Sequence, residues 1–153
     1  MNKAVIFAAM VLILTVGVVV FTLKDGNILP YAPETPLLPE ILVDGTPVKV
    51  IVADTSEEHM RGLSGYDPLP LNQGMLFVFQ TEGVRKIWMK EMKFPLDVFW
   101  IDASGAIQYM KTNIYPETYP EIFGPAYPVA FVLEMPAGFA EVYNIEVGDT
   151  IEF

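Results

Sequence analysis

The sequence predicts a mainly β domain, an antiparallel sandwich or barrel with two short helices, preceded by an N-terminal transmembrane helix. Three observations predict it. Residues 4–23 carry no charge, residues 24–40 are rich in proline, and residues 41–153 alternate short apolar segments with turn residues. We therefore divide the chain into a signal anchor (1–23), a tether (24–40) and a β domain (41–153).

The uncharged run Ala4–Leu23 has the length of a membrane-spanning helix. At a rise of 1.5 Å per residue it reaches about 30 Å, the thickness of a bilayer core. A cleaved signal peptide would end in small residues, which the junction Phe21–Asp25 lacks. Lys3 before the run favours an N-terminus on the inner side. We expect an uncleaved single-pass anchor, membrane contact through residues 4–23, and an extracytoplasmic domain.

The tether has a proline at every third position, namely Pro30, Pro33, Pro36 and Pro39. Polyproline II has three residues per turn, so the four rings would share one edge of an extended rod of roughly 30 Å. The segment is a semi-rigid spacer, a linker of no selected length, or a proline motif for a partner domain.

The first elements of the domain follow directly from turn and cap residues. Ile41–Val43 and Val48–Val52 flank Asp44-Gly45, which predicts a β-hairpin. Thr55 or Ser56 can cap a short helix that ends near Gly62. The continuous apolar run Met75–Phe79 predicts a strand buried on both faces.

The rest of the chain predicts further strands, mostly joined as hairpins, and a second helix. Turns are expected at Asp102–Gly105 and Gly148-Asp149, and the helix over 136–143, with Pro136 at its start. The strands are predicted over 85–92, 96–101, 106–111, 129–135 and 150–153.

Composition excludes several kinds of chemistry. The chain has no cysteine and one histidine, which excludes disulfides, thiol nucleophiles, thiolate zinc sites and multi-histidine zinc sites. After residue 23 there are 8 basic and 19 acidic residues, a balance that argues against nucleic acid. His59 stands on a short polar helix and is expected to be solvated, which disfavours a serine hydrolase triad. We expect no metal site and no cofactor.

Eight short motifs occur in register along the predicted domain, and together they resemble the DUF192 family. The resemblance implies a small, mostly β domain, often behind a signal or anchor sequence, and implies no reaction. Two features depart from the family pattern: Glu91-Met92 stand where Asn-Thr is frequent, and a common cysteine pair is missing. The motifs are Arg61–Leu63, Gly74–Phe79, Trp88–Lys90, Pro95–Asp97, Asp102 with Gly105, Val132–Glu134, Ala137-Gly138 and Gly148-Asp149.

Four charged residues are candidates for a polar site. If residues 85–92 and 96–101 form a hairpin centred on Lys93-Phe94, Lys90 lies opposite Asp97 among large apolar groups. The pair is then either a structural ion pair or the polar floor of a pocket that Arg61 and Glu134 join. For Arg61 the alternative is a cation that suits the helix C-terminus, and for Glu134 a side chain in solvent.

The segment 112–128 repeats Tyr-Pro three times, through Tyr115, Tyr119 and Tyr127. A loop of this length without regular structure is often functional. Exposed tyrosine faces would suit a sugar ring or an extended peptide, whereas the alternative is a loop whose tyrosines cover a sheet edge.

These observations favour a membrane-anchored, extracytoplasmic domain that binds a small ligand, a glycan or another cell-envelope component. Arg61, Lys90, Asp97, Glu134 and the three tyrosines are its predicted contacts. One alternative is a hydrolase of envelope material that uses carboxylates as acid and base, and another is a structural partner of a membrane protein. No catalytic residue is identified, and we expect a binding domain rather than an enzyme.

Overall fold

The computed structural model describes residues 38–153, so the predicted anchor and most of the tether lie outside the described residues. Within 38–153 no helix is long and apolar enough to cross a membrane. The described part contains nine strands and two short α-helices. They are β1 Glu40–Val43, β2 Thr46–Ala53, α1 Ser56–Arg61, β3 Gln73–Gly83, β4 Ile87–Trp88, β5 Leu96–Ile101, β6 Ile107–Ile114, β7 Ile122–Phe123, β8 Val129–Pro136, α2 Phe139–Tyr143 and β9 Ile151–Glu152.

Seven strands form one curled sheet in the order β6-β5-β8-β3-β2-β1-β9. Neighbouring strands are antiparallel except β2 and β3, which run parallel and are connected through α1. The last strand pairs with β1, and a bridge between Ala106 and Thr150 connects the same segment to the start of β6. The sheet is therefore a half-barrel, and the predicted mainly β fold with two short helices is confirmed.

Each face of the sheet carries its own apolar cluster, because side chains alternate along every strand. The inner cluster includes Phe99 and Leu133 and is covered by Phe139 of α2. The outer cluster includes Phe77, Trp100 and Val132 and is covered by residues of the loops after α1 and β4. The candidate residues Asp97 and Glu134 consequently lie on opposite faces of the sheet.

The predicted β1–β2 hairpin and the first helix are confirmed. Asp44 and Gly45 both have positive φ, as the tight turn between these strands requires. Thr55 caps α1, which ends at Gly62.

The predicted hairpin between residues 85–92 and 96–101 is wrong. β4 spans two residues only and pairs with β7, while both edges of β5 are occupied by β6 and β8. The chain leaves the extended conformation at Glu91, where φ is 56°, and Met89 and Phe94 turn onto the outer face of the sheet. Asp97 consequently stands opposite Met135 and not opposite Lys90.

Two other expectations need correction. The segment 112–128 is not an irregular loop, since it contains the end of β6, a 3-10 helix over Pro116–Thr118 and strand β7. The second helix begins at Phe139, because Pro136 ends β8 and the chain reverses at Gly138, where φ is 91°.

Candidate functional site

A cleft of about 490 Å³ lies on the outer face of the sheet, beneath α1 and the segment 84–88. Its volume is in the range of pockets that hold small organic molecules. Phe77, Phe79, Val132 and Glu134 line it from the sheet. Half of the other lining residues have large apolar side chains, namely Met60, Leu63, Val84, Ile87, Trp88, Met92 and Ile122.

Helix α1, which forms one wall of the cleft, begins with a capping box. The Thr55 hydroxyl accepts a hydrogen bond from the Glu58 N–H at 3.2 Å, and the Glu58 carboxylate accepts one from the Thr55 N–H at 3.1 Å. Such reciprocal caps satisfy N–H groups that the first turn of a helix leaves without partners. The pKa of Glu58 is lowered mainly by the bond that the Thr55 hydroxyl donates to its carboxylate at 2.8 Å, and further by the bonds from the Thr55 and Asp54 N–H groups, so the cap is complete at neutral pH. The Ser64 hydroxyl then donates to the Lys90 carbonyl at 2.7 Å, which joins the loop after α1 to the loop after β4.

The opposite wall, residues 84–88, is fixed to the sheet by the fully buried Trp100. The indole N–H of Trp100 donates to the Arg85 carbonyl at 2.9 Å. Gly124 lies against the same carbonyl, and a Cβ there would stand 2.5 Å from its oxygen, so only glycine permits this approach. The Lys86 ammonium donates to the Gly124 carbonyl. Hydrogen bonds thus connect both walls of the cleft to neighbouring segments.

Glu134 supplies the acidic group of the cleft. Its side chain is 5% exposed, and its Oε2 atom is buried without a hydrogen-bond partner in the described residues. On the sheet its neighbours are Met75 and Val98, which are apolar. Burial therefore raises the pKa of Glu134 to about 8, and the carboxyl is mainly protonated at neutral pH.

The other charged residues of the cleft are cations. Arg61, Arg85 and Lys86 line it, whereas Glu134 is its single acidic residue among the 17 in residues 38–153. The described part of the chain contains one ion pair, between Lys93 and Asp67, so none of the three cations lies within 4 Å of a carboxylate there. In a chain of net charge −10, three cations without an ion pair in residues 38–153 therefore line one cleft.

Arg85 and His59 pack against the Phe79 ring. The Arg85 guanidinium carbon lies 4.0 Å from the ring centroid, and its Nη2 donates to the Thr81 carbonyl at 2.6 Å. The His59 ring centroid is 4.5 Å from that of Phe79, and its Nε2 lies 2.9 Å from the Ala53 carbonyl oxygen. The prediction of a solvated His59 is therefore wrong, because the ring is half-buried and fixed in position.

The mouth of the cleft exposes large apolar side chains. Met60 is 73% exposed, Ile122 61%, Val84 50% and Trp88 44%. The Trp88 ring also meets Tyr119 edge to face, with centroids 6.3 Å apart. Single exposed apolar residues are ordinary, but several that line the same cavity are typical of a binding site.

Comparison with known proteins gives this fold a family. The model of DUF192, described as an uncharacterized ACR, matches residues 40–153. The chain belongs to the DUF192 family. The resemblance inferred from its motifs is thereby confirmed, and with it a small, mostly β domain of unknown function. No curated protein matches the chain.

Two solved structures are similar to this DUF192 protein. One is a proposed transcription regulator from Sinorhizobium meliloti 1021, 28% identical, with a TM-score of 0.68, covering 74% of this chain and 89% of that one. The other is a protein of unknown function from Novosphingobium aromaticivorans DSM 12444, 26% identical, with a TM-score of 0.72, covering 80% of this chain and 90% of that one.

The structure brings together two of the four predicted charged residues. Arg61 and Glu134 both line the cleft. Asp97 lies on the inner face, fully buried, and its carboxylate accepts hydrogen bonds from the backbone N–H groups of Asn113 at 2.9 Å and Ala140 at 3.0 Å. It therefore connects β6 to α2 and takes no part in the cleft. The exposed Lys90 does not line the cleft, and its ammonium lies 5.9 Å from the Trp88 ring.

The three tyrosines do not form one surface at the cleft. Tyr119 reaches its rim through Trp88, but Tyr115 and Tyr127 are not among the lining residues. The Tyr127 hydroxyl donates to the Gln108 carbonyl at 3.0 Å, which places its ring along β6. The neighbouring Ile122 is the residue of this segment that lines the cleft.

Sequence reasoning missed Arg85, Lys86, His59 and the aromatic walls. The incorrect hairpin singled out Lys90 and Asp97 and gave Arg85 no part in the predicted site. The adjacent pair Arg85-Lys86 in such an acidic chain was the available signal. Within residues 38–153 no three histidine or acidic side chains are grouped as a metal site would require.

Proposed function

We propose that this DUF192 domain binds a small, largely apolar ligand in the outer-face cleft. In this proposal residues 1–23 anchor the chain in a membrane, and residues 24–40 hold the domain on the extracytoplasmic side. The main support is Glu134, a buried carboxyl whose Oε2 has no partner within the described residues and which lines the cleft.

A buried polar atom without a partner is unfavourable, because its hydrogen bond to water is lost on folding and not replaced. Such atoms are rare in folded proteins, and those that occur usually have a specific cause, such as a functional role or a bound partner. Asp97 shows that this fold can satisfy a buried carboxylate fully. Asp97 has hydrogen-bond donors from the fold and the Oε2 atom of Glu134 has none, a difference that is explained if a ligand forms the missing hydrogen bond to Glu134.

Two alternatives receive less support. A hydrolase with two carboxylates as acid and base needs a second acidic residue in the cleft, and Glu134 is the single one that lines it in the described part. Transcription regulation, the proposed role of the S. meliloti protein, would require this chain to contact DNA or a DNA-bound partner. Its 8 basic and 19 acidic residues after residue 23 disfavour contact with DNA phosphates.

A thermal-shift screen of the full chain in nonionic detergent tests ligand binding in the cleft. The panel contains sugars, envelope fragments, nucleotides and small apolar acids, amides and amines. A ligand at 100 times its dissociation constant stabilises the fold by about 2.7 kcal/mol, which raises the melting temperature by several degrees. We expect hits that Trp88→Ala abolishes and Tyr115→Ala retains.

Tyr115 is the matched control, because it is also an exposed aromatic residue but lies away from the cleft. A hit lost in Tyr115→Ala and kept in Trp88→Ala would instead place the ligand at the tyrosine-rich segment. A panel without any hit would count against ligand binding and favour the alternative of a structural partner.

The membrane arrangement requires a separate test. In cells that produce the chain, externally added protease should digest residues 41–153 after the outer layers are removed and before the membrane is opened. A domain that stays protected until the membrane is permeabilised would contradict the extracytoplasmic position.

A further inference from the structure

The charges around the cleft indicate the chemical class of its ligand, an inference that rests on the proposed function. We propose that the cleft binds a small aromatic carboxylate. The ring lies between the aromatic walls, the carboxylate faces the three cations that line the cleft, and Glu134 takes part as a neutral hydrogen-bonding group.

The sign of the ligand's charge follows from the lining residues. A buried carboxyl taken alone would suggest an amine as its partner. However, Arg61, Arg85 and Lys86 line the same cleft, and none is paired with a carboxylate in the described part of the chain. An amine would meet three like charges, whereas a carboxylate would meet three opposite charges and guanidinium groups suited to binding it.

Glu134 is compatible with an anionic ligand only in its protonated form. The charged and titratable groups that line the cleft with it are His59 and Arg61 of α1 and Arg85 and Lys86 of the opposite wall. None forms a hydrogen bond or an ion pair with the buried Oε2. A protonated carboxyl can donate one hydrogen bond to a carboxylate oxygen, and such charge-assisted bonds are short and strong.

The apolar part of the ligand is indicated by the shape of the walls. Phe77 and Phe79 form part of the sheet side, and Trp88, with 44% of its surface exposed, stands at the mouth. Aromatic rings pair with one another in stacked or edge-to-face geometry, which gives more than the burial of their area alone. Lys90 and Tyr119 contact part of the Trp88 ring, and the 44% that stays exposed is surface that a ligand ring would cover.

Three probes with the same body and different charge test the proposal: 4-phenylbutyrate, 4-phenylbutanamide and 4-phenylbutylamine. Calorimetric titration of the full chain in detergent measures their affinities, with tryptophan fluorescence excited at 295 nm as a second readout. We expect the carboxylate to bind at least about tenfold more tightly than the amide, and the amine most weakly. Trp88→Phe should remove the fluorescence response, because Trp100 is fully buried in the sheet.

Two pairs of variants separate the cleft from general charge effects. Lys86→Met should weaken carboxylate binding about tenfold, while Lys111→Met, which removes an exposed cation of β6 outside the cleft, should leave it unchanged. Glu134→Gln keeps the shape of the neutral acid. Carboxylate affinity should fall in the unchanged chain as the pH rises from 7 to 9 and stay nearly constant in Glu134→Gln.

The outcomes distinguish this inference from the proposed function. If the amine bound more tightly than the carboxylate, or if Glu134→Gln abolished binding of the amine, Glu134 would be acting as an anion. Either result would overturn the carboxylate assignment and leave the proposal of a ligand-binding cleft intact. Equal effects of Lys86→Met and Lys111→Met would also overturn it, because the cations would then act only through net charge. Absence of binding by all three probes up to about 10 mM would count against both proposals.

Discussion

Replacing Glu134 by glutamine should change how the stability of the domain depends on pH. The carboxyl has a pKa of about 8 in the folded chain, whereas 4.5 is its ordinary value. Between these two pH values the folded protein keeps the proton and the unfolded chain loses it. The free energy of unfolding therefore falls as the pH rises, with the contribution of Glu134 complete below pH 4.5 and lost above pH 8.

The size of the effect follows from the shift. Each pKa unit corresponds to about 1.4 kcal/mol, which gives an upper limit of about 5 kcal/mol for the whole interval. Water in the open cleft partly solvates the ionised carboxylate, so we expect a difference of about 2 to 5 kcal/mol. Glutamine has the shape of the neutral acid and does not titrate, so the variant should lack this loss.

Urea unfolding followed by tryptophan fluorescence measures the effect at one-unit steps from pH 5 to pH 9. The difference between the unchanged chain and Glu134→Gln cancels the titration of all other groups. Glu141→Gln, which alters an exposed glutamate of α2, is the matched control and should run parallel to the unchanged chain. If Glu134→Gln also runs parallel, the carboxyl is solvated in the folded state and the reasoning about the cleft fails.

Three further substitutions test other parts of the structure by the same unfolding measurement. Asp97→Ala leaves two backbone N–H groups without their acceptor and should lower the free energy of unfolding by about 2 to 4 kcal/mol. Carboxylate binding by the folded variant should stay unchanged. A decrease in unfolding free energy below about 0.5 kcal/mol would contradict the described bonds. Thr55→Ala removes the cap of α1 and should cost about 1 kcal/mol, whereas no change would mean that the cap does not hold the helix. Asp102→Asn should be destabilising at neutral pH, because the bond from the Ser104 side chain is the main cause that lowers the pKa of Asp102. That stabilisation is complete above pH 3.8 and is lost as the pH falls through the lower folded value, so the difference between Asp102→Asn and the unchanged chain should narrow in acid.

Local signals predicted the elements of the fold well. The Asp44-Gly45 turn, the Thr55 cap and the apolar run Met75–Phe79 each carry their information within a few residues, and all three are found as expected. Pairing between distant strands carries no such local signal. The paired residues of β5 and β8 lie thirty to forty residues apart, and nothing in residues 85–101 indicates this pairing, which is why the predicted hairpin failed.

That error accounts for much of the incorrect part of the predicted site. The side-chain period of a strand is two, so the face of a residue is known only once its partner is known. With the register Val98 opposite Glu134, Asp97 points to the inner face and Glu134 to the outer face. The sequence could identify both as polar residues within apolar strands, but it could not separate them.

The contrast between these two carboxyls supports the proposed binding site on the outer face. Both are buried and both stand among large apolar side chains. Asp97 receives one backbone N–H group on each of its two oxygens, so the fold itself supplies hydrogen bonds to both. In the described part of the chain Glu134 receives none on its buried oxygen, and it borders a cavity lined with cations that form no ion pair there. In the absence of a ligand, leucine or methionine at this position would increase the stability of the fold, because either side chain would pack against Phe77 without a desolvation cost. Glu134→Leu should therefore stabilise the empty domain while abolishing carboxylate binding, and a variant that stayed fully competent for binding would remove Glu134 from the site.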